Sequence, residues 1–268
     1  MSFWDHLEEL RWVFMRVGIA ILVFTIIGFI LTPMFFEPVV MAATSSDFWT
    51  YRFFEWFTES IPFLPNFVVE EFEVQVITLG LTTQFMTLIK ISLMFGFLCT
   101  IPYILYEIWR FISPALYANE AKGVKTAFGF GGVMFAIGCL VGYFLVFPLI
   151  FRFLTTFILS DVIENTISLE DYMAKFFMLI LIMGIVFEMP LVFWLLSKLG
   201  LVRRSLFRKY RRHAIFGCAV LAAFIAPGGD PFSMFIVWIP LYFLWEASAF
   251  VVKKDPVDEE NNLPVVAS

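Results

Sequence analysis

Residues 12–31 read WVFMRVGIAILVFTIIGFIL, an apolar run broken by one charge, Arg16, and closed by Thr32-Pro33. At 1.5 Å per residue such a helix covers about 30 Å, the thickness of a bilayer's hydrocarbon core. Comparable runs follow at 81–106, 124–151, 172–196, 213–226 and 232–252. The chain of 268 residues is 61% hydrophobic and 15% charged, with a mean hydropathy of +0.88. A water-soluble domain of that composition would leave much apolar surface wet. Backbone groups in hydrocarbon must bond internally, and no segment alternates as a barrel strand would, so the spans read as helices. The expected fold is all-α and polytopic, six transmembrane helices packed as one domain over 1–252. An outer segment, 33–80, caps it, and an acidic tail, 253–268, is expected to be disordered. Run 12–31 is too long for a cleavable signal peptide and lacks a small-residue cleavage site.

Cations alternate in side. Arg11, Arg110, Lys122, Lys125, Lys198, the cluster Arg203–Arg212, Lys253 and Lys254 share the side of the N-terminus, while Arg52 and Arg152 fall opposite. The positive-inside rule then places both termini in the cytoplasm. The net charge of −5 argues against nucleic-acid binding. Cys99, Cys139 and Cys218 lie within apolar runs, so neither a disulfide framework nor a metal cluster is expected, and no cofactor motif is present. His6 and His213 have no evident nucleophile or metal partner, which leaves an enzyme the least favoured class.

The spans differ in length. The third, 124–151, measures about 42 Å and the fifth, 213–226, about 21 Å. Arg211, Arg212 and the Pro227-Gly228-Gly229-Asp230 turn fence the fifth, so a thinned or water-indented bilayer is expected beside it. Outside, Phe48 to Phe57 is dense in aromatics with interspersed charge. It suits a helix lying on the interface, or a cap on the helix ends.

Several charges lie in apolar surroundings. Glu188, in Gly184 to Pro190, costs about 2.5–3.5 kcal/mol at a helix centre unless it meets a partner or water. It reads either as a functional carboxyl or as one bonded to a neighbouring helix. Pro190 should free a backbone carbonyl near Val186. Lys90 and Gln84 read as structural, Lys90 snorkelling outward. Glu246 either reaches the interface or pairs with Lys253, and Asp230 suits the N-cap of the sixth helix.

Two acidic segments fall on the cation-rich side. In Asp5-His6-Leu7-Glu8-Glu9-Leu10-Arg11, Asp5 and Glu8 form a capping-box-like start, leaving Glu9 unexplained. The loop Trp109 to Glu120 offers Ser113-Pro114 as a helix start, with Glu120 beyond. Two carboxylates there can grip guanidinium groups of a bound peptide. Alternatively they pair with Arg11, Arg110 or the Arg203–Arg212 cluster.

His6 to Arg11 resembles the HLxELR motif that opens the TatC family, multi-spanning receptors of twin-arginine protein translocation. Phe111-Ile112-Ser113-Pro114-Ala115-Leu116-Tyr117 with Glu120 is similar to that family's FxxPALYxxE loop, and Pro102 to Tyr106 with Trp109 to its lead-in. Phe187-Glu188-Met189-Pro190 resembles the fourth-helix element, and Pro227 with Asp230-Pro231 the turn between the fifth and sixth helices. The resemblance implies a glove-shaped bundle that binds twin-arginine signal peptides at Glu9 and Glu120, within motifs that include Arg11, Phe111 and Pro114. It implies that Glu188 and Pro190 line the concave face. It further implies that the ends of the last two helices, with Asp230, Met234 and Glu246, dock the single-span partners TatA and TatB. Met234 stands where many members carry a glutamine, Gly228-Gly229 holds an extra glycine, and the outer loop is unusually long and aromatic. The function so implied is non-enzymatic: a homo-oligomeric receptor and scaffold in the bacterial cytoplasmic membrane, exporting folded proteins with the proton-motive force. The alternatives are a proton-coupled transporter using Glu188, although no inverted repeat is evident, and an assembly scaffold without a substrate site.

Overall fold

The computed structural model describes residues 3–59, 74–112, 121–157, 166–198 and 200–252; Pro114, Glu120 and the 253–268 tail lie outside them. Apolar periodicity produces helices α1 (Phe3–Phe35), α2 (Trp49–Glu59), α3 (Thr83–Ile112), α4 (Ala121–Val141), α5 (Phe147–Thr156), α6 (Leu169–Phe187), α7 (Met189–Lys198), α8 (Arg204–Lys209), α9 (Arg211–Ile225) and α10 (Pro231–Val251). Among the described residues, five stretches are long and apolar enough to cross a bilayer: Leu7–Thr44, Thr83–Ile108, Gly129–Thr156, Leu169–Lys198 and Pro231–Val251. The shortness of the remaining run persists, since α9 has 15 residues, or about 22 Å. The chain divides into two compact units, Met1–Met183 and Gly184–Ser268.

In the first unit α1 runs past Pro33, where the sequence suggested a stop. The apolar residues beyond it continue the packing surface, and Phe35 meets Phe95 of α3 with ring centroids 5.6 Å apart. The two helices approach closely because glycines face each other's backbone. A Cβ on Gly96 would lie 2.7 Å from Thr25 N and 2.9 Å from Ile21 O, and one on Gly28 would lie 3.1 Å from Ser92 O. Buried hydroxyls turn inward on their own helices. Thr32 donates to Gly28 O at 2.7 Å, Ser92 to Leu88 O at 2.7 Å, Thr100 to Gly96 O at 2.6 Å and, in the second unit, Ser248 to Leu244 O at 2.7 Å.

The far end of this unit, opposite the N-terminus, is built on two π-helical turns, Phe36–Val40 and Gly142–Val146. A π turn leaves carbonyls without their usual partners, and tyrosines supply the missing donors. Tyr143 donates to Val39 O at 2.8 Å, Tyr172 to Val40 O at 2.5 Å, and the Tyr51 hydroxyl lies 3.1 Å from both Ala43 O and Pro148 O. Thr50 donates to Phe144 O. Burial pushes the Tyr51 phenol up, against the opposing pull of Arg152. Phe147, Phe151, Tyr172 and Phe176 fill the space beneath with edge-to-face pairs at 5.0–5.4 Å. A parallel two-residue pair, β1 (Val76–Ile77) with β2 (Ile167–Ser168), ties the segment after α2 to the one before α6.

In the second unit α10 packs against α7 and α9. Phe193, Phe207 and Trp245 form a ring cluster with centroids 4.7–5.2 Å apart, and Trp238 Nε1 donates to Ile215 O at 3.1 Å. Gly229 takes the left-handed conformation, φ 63°, in the turn before α10; there a glycine avoids the Cβ clash of an L-residue.

Gly96→Val should wedge α1 from α3 at a cost of about 1–3 kcal/mol, lowering the Tm of the detergent-purified protein. Gly129→Val, whose Cβ meets nothing within 4 Å, should leave it nearly unchanged.

Candidate functional site

On α1, Glu9 is half-buried and Glu8 and Arg11 are exposed. Neither Glu9 nor Arg11 forms an ion pair within 4 Å among the described residues. That outcome disfavours the pairing of Glu9 with Arg11 or Arg110, which the sequence left open. Phe111 is half-buried in the last turn of α3, while its companions in the loop motif, Pro114 and Glu120, fall outside the described residues.

The buried acid of this unit is one the sequence reading passed over. Glu107 on α3 is 1% exposed. Tyr103, one turn earlier, donates to its Oε1 at 2.8 Å. Arg16 Nε of α1 lies 3.7 Å from Oε2 and Arg110 lies 3.9 Å from Oε1. Arg16 is itself oriented by a hydrogen bond to Trp12 O at 3.2 Å. Oε2 has no hydrogen bond among the described residues, so its compensation is the longer-range attraction of two guanidinium groups. The sequence signal was present: Tyr103, Glu107 and Arg110 follow i, i+4 and i+7 spacing, which brings them onto one helix face.

In the second unit, Glu188 stands at a helix break. α6 ends at Phe187 and α7 begins at Met189, and Glu188 N donates to Ile185 O at 3.1 Å, a tightened i−3 bond. Pro190, buried two residues on, has no N–H to give Val186, which accounts for the interruption. Both Glu188 oxygens are buried and have no hydrogen-bond partner among the described residues. The expected polar notch is thus present in its local form, a carboxyl beside a broken helical ladder.

At the turn before α10, Asp230 caps as expected: its Oδ1 accepts from Ser233 N at 2.7 Å. Met234 N bonds Asp230 O at 3.1 Å, and its side chain is half-buried. Glu246 has a partner that the sequence did not suggest. It pairs with Arg211 at the start of α9, at 2.6 Å, while Lys253, the partner the sequence offered, lies outside the described residues. Tyr242 joins them, donating to Glu246 Oε1 at 2.7 Å and accepting from Arg211 Nε at 3.2 Å. These bonds hold the exposed Arg211 guanidinium above its usual range, Tyr242 first and Glu246 second. The shortness of α9 makes the pair accessible, because its first residue starts low enough on α10 to meet a carboxylate one turn inside the helix end.

Six apolar runs, an acid-bearing α1 start, a Glu-Met-Pro break and an Asp-Pro cap occur in one order along the chain. The family profile described as "Sec-independent protein translocase protein (TatC)" matches residues 5–240. The chain belongs to the TatC family. It is 33% identical over 254 residues to the TatC of Blattabacterium sp. subsp. Periplaneta americana, covering 94% of each chain. It is 30% identical to that of Deinococcus radiodurans, covering 90% of this chain and 82% of the relative. A crystal structure of a twin-arginine translocase receptor, TatC, superposes with a TM-score of 0.72 at 32% identity, over 92% of this chain and 99% of that one. As a TatC, the chain is a multi-pass membrane component of the twin-arginine protein translocase.

Glu107→Gln and Arg16→Gln should each lower the Tm in detergent. The double variant should lose less than their sum, since residues sharing one ion-pair network couple by about 0.5–3 kcal/mol. Strict additivity would show the pair to be uncoupled.

Proposed function

We propose that this TatC is the receptor and core scaffold for twin-arginine signal peptides, with Glu9 and Glu120 as the acids that receive the arginine pair. The observation that carries this reading is the contrast between two acids on the same unit. Glu107 is buried and already has two guanidinium groups close by, whereas Glu9 is half-buried without an ion pair among the described residues. An acid left unpaired beside exposed cations is available to an incoming guanidinium; one already compensated is not. Arg11, Phe111 and Pro114 frame this receptor face in the motifs. The apolar part of the signal meets the surface around Glu188 and Pro190, where α6 breaks into α7.

Asp230, Met234 and Glu246 mark the ends of α10 where the single-span partners TatA and TatB dock. The short α9 supports this role, because a helix of about 22 Å leaves a thinned margin of bilayer beside it. Both termini lie in the cytoplasm of a bacterial cell, as the cation distribution supports. The six spans form one membrane domain that assembles as a homo-oligomer. It works without covalent chemistry, drawing on the proton-motive force through its partners.

Glu9→Lys, Glu120→Lys and the double variant test the receptor role. A charge-assisted bond contributes about 1.5–3 kcal/mol, so each single change should weaken signal-peptide affinity roughly ten- to a hundredfold. A photocrosslinker at position 9 should capture a signal peptide carrying its arginine pair and fail with a twin-lysine version. Equal capture of both, or full binding by the double variant, would overturn the assignment.

A further inference from the structure

Helix α2 divides into three faces. Thr50, Tyr51, Phe54 and Thr58 form one, with Thr50 and Tyr51 buried; their hydrogen bonds reach Phe144 O, Ala43 O and Pro148 O. Arg52, Glu55 and Glu59 form the second, and Arg52 pairs with Asp47 at 2.6 Å. Trp49, Phe53, Trp56 and Phe57 form the third. They are 61%, 41%, 63% and 41% exposed, and Trp49, Phe53 and Phe57 stack in a ladder with centroids 5.3 and 6.2 Å apart. A soluble cap would not leave four large aromatics in one open row.

Where α2 is tied fixes its depth. Its anchors, Phe144 and Pro148, lie in the stretch Gly129–Thr156, which has 28 residues and is about 42 Å long. A hydrocarbon core of about 30 Å entered just past Lys125, the last cation before the apolar run, ends about twenty residues on, between Phe144 and Pro148. Arg152, one turn further, holds its guanidinium 5.6 Å over the Tyr51 ring. Thus α2 lies level with the boundary between acyl chains and headgroups, on the face opposite the N-terminus. Its charged face suits water, and Trp49 at the start of its aromatic row meets the Phe144 ring edge-on at 5.8 Å.

We propose that the Trp49–Phe53–Trp56–Phe57 face of α2 is a lipid-docking surface, inserted at the headgroup–acyl boundary of the leaflet opposite the N-terminus. The occupant is phospholipid, held by apolar burial and indole placement. The charges flanking the row, Asp47, Glu55 and Glu59 against Arg52, give anionic headgroups no advantage, so docking is insensitive to them.

The full chain, reconstituted in phosphatidylcholine vesicles, tests this through Trp49 and Trp56. The emission lost on making Trp49→Phe with Trp56→Phe reports these two residues. That difference signal should be quenched about twofold or more by lipids brominated high on the acyl chain, at the depth an interfacial helix occupies. Iodide on both sides should leave it nearly unquenched, and added phosphatidylglycerol should not change the result. Each single variant gives an independent reading should the double variant fold poorly. Quenching by iodide in place of bromolipid would show the row facing water. Quenching by neither would show it covered by protein. Either result overturns the proposal.

Discussion

The far end of the first unit depends on carbonyls that the helices cannot satisfy themselves. Two π turns, Phe36–Val40 and Gly142–Val146, widen the backbone just where the spans meet the outer segment. Inside an apolar layer such carbonyls cannot turn to water, and each left unpaired costs on the order of several kcal/mol. Tyr143 and Tyr172 answer in the first turn and Thr50 in the second, while Tyr51 reaches Ala43 O and Pro148 O just beyond them. One set of side chains therefore seals the end of the bundle, fixes the path of the outer segment and sets the height of α2.

Charge is distributed on a different principle at two acids of the first unit. Glu107 pins α3 to α1 because burial makes an acid seek compensation, and Arg16 and Arg110 supply it. Glu9 stands near the start of α1, half-buried and without an ion pair among the described residues. Glu188 belongs to neither pattern: it is enclosed, and its oxygens have no hydrogen bond among the described residues. Such a group remains in an apolar span at a cost that selection would remove unless its polarity were used.

Much of this was legible in the sequence because hydrophobic length and breakers are local signals. The five long apolar stretches, the short α9, the Pro190 interruption and the Asp230 cap were readable from neighbours within one or two turns. What escaped depends on residues far apart in the chain. Glu246 finds Arg211, 35 positions away, and Glu107 finds Arg16 across the α1–α3 contact; no window of sequence contains either pair. The continuation of α1 beyond Pro33 escaped for a related reason, since packing against Phe95 outweighed the proline's local preference. Among the site residues, the motif acids were identifiable one by one, but the contrast between a compensated and an uncompensated acid appears only with tertiary structure.

Thr32, Ser92, Thr100 and Ser248 each return their hydroxyl to the carbonyl four residues earlier, so these groups bring their own partners with them. Each span that carries one can enter lipid as an isolated cylinder before any neighbour is present. Association then rests on shape, such as the glycine contacts between α1 and α3, with no need to exchange hydrogen bonds in hydrocarbon. For these four hydroxyls, biogenesis is thereby separated into insertion first and fitting afterwards.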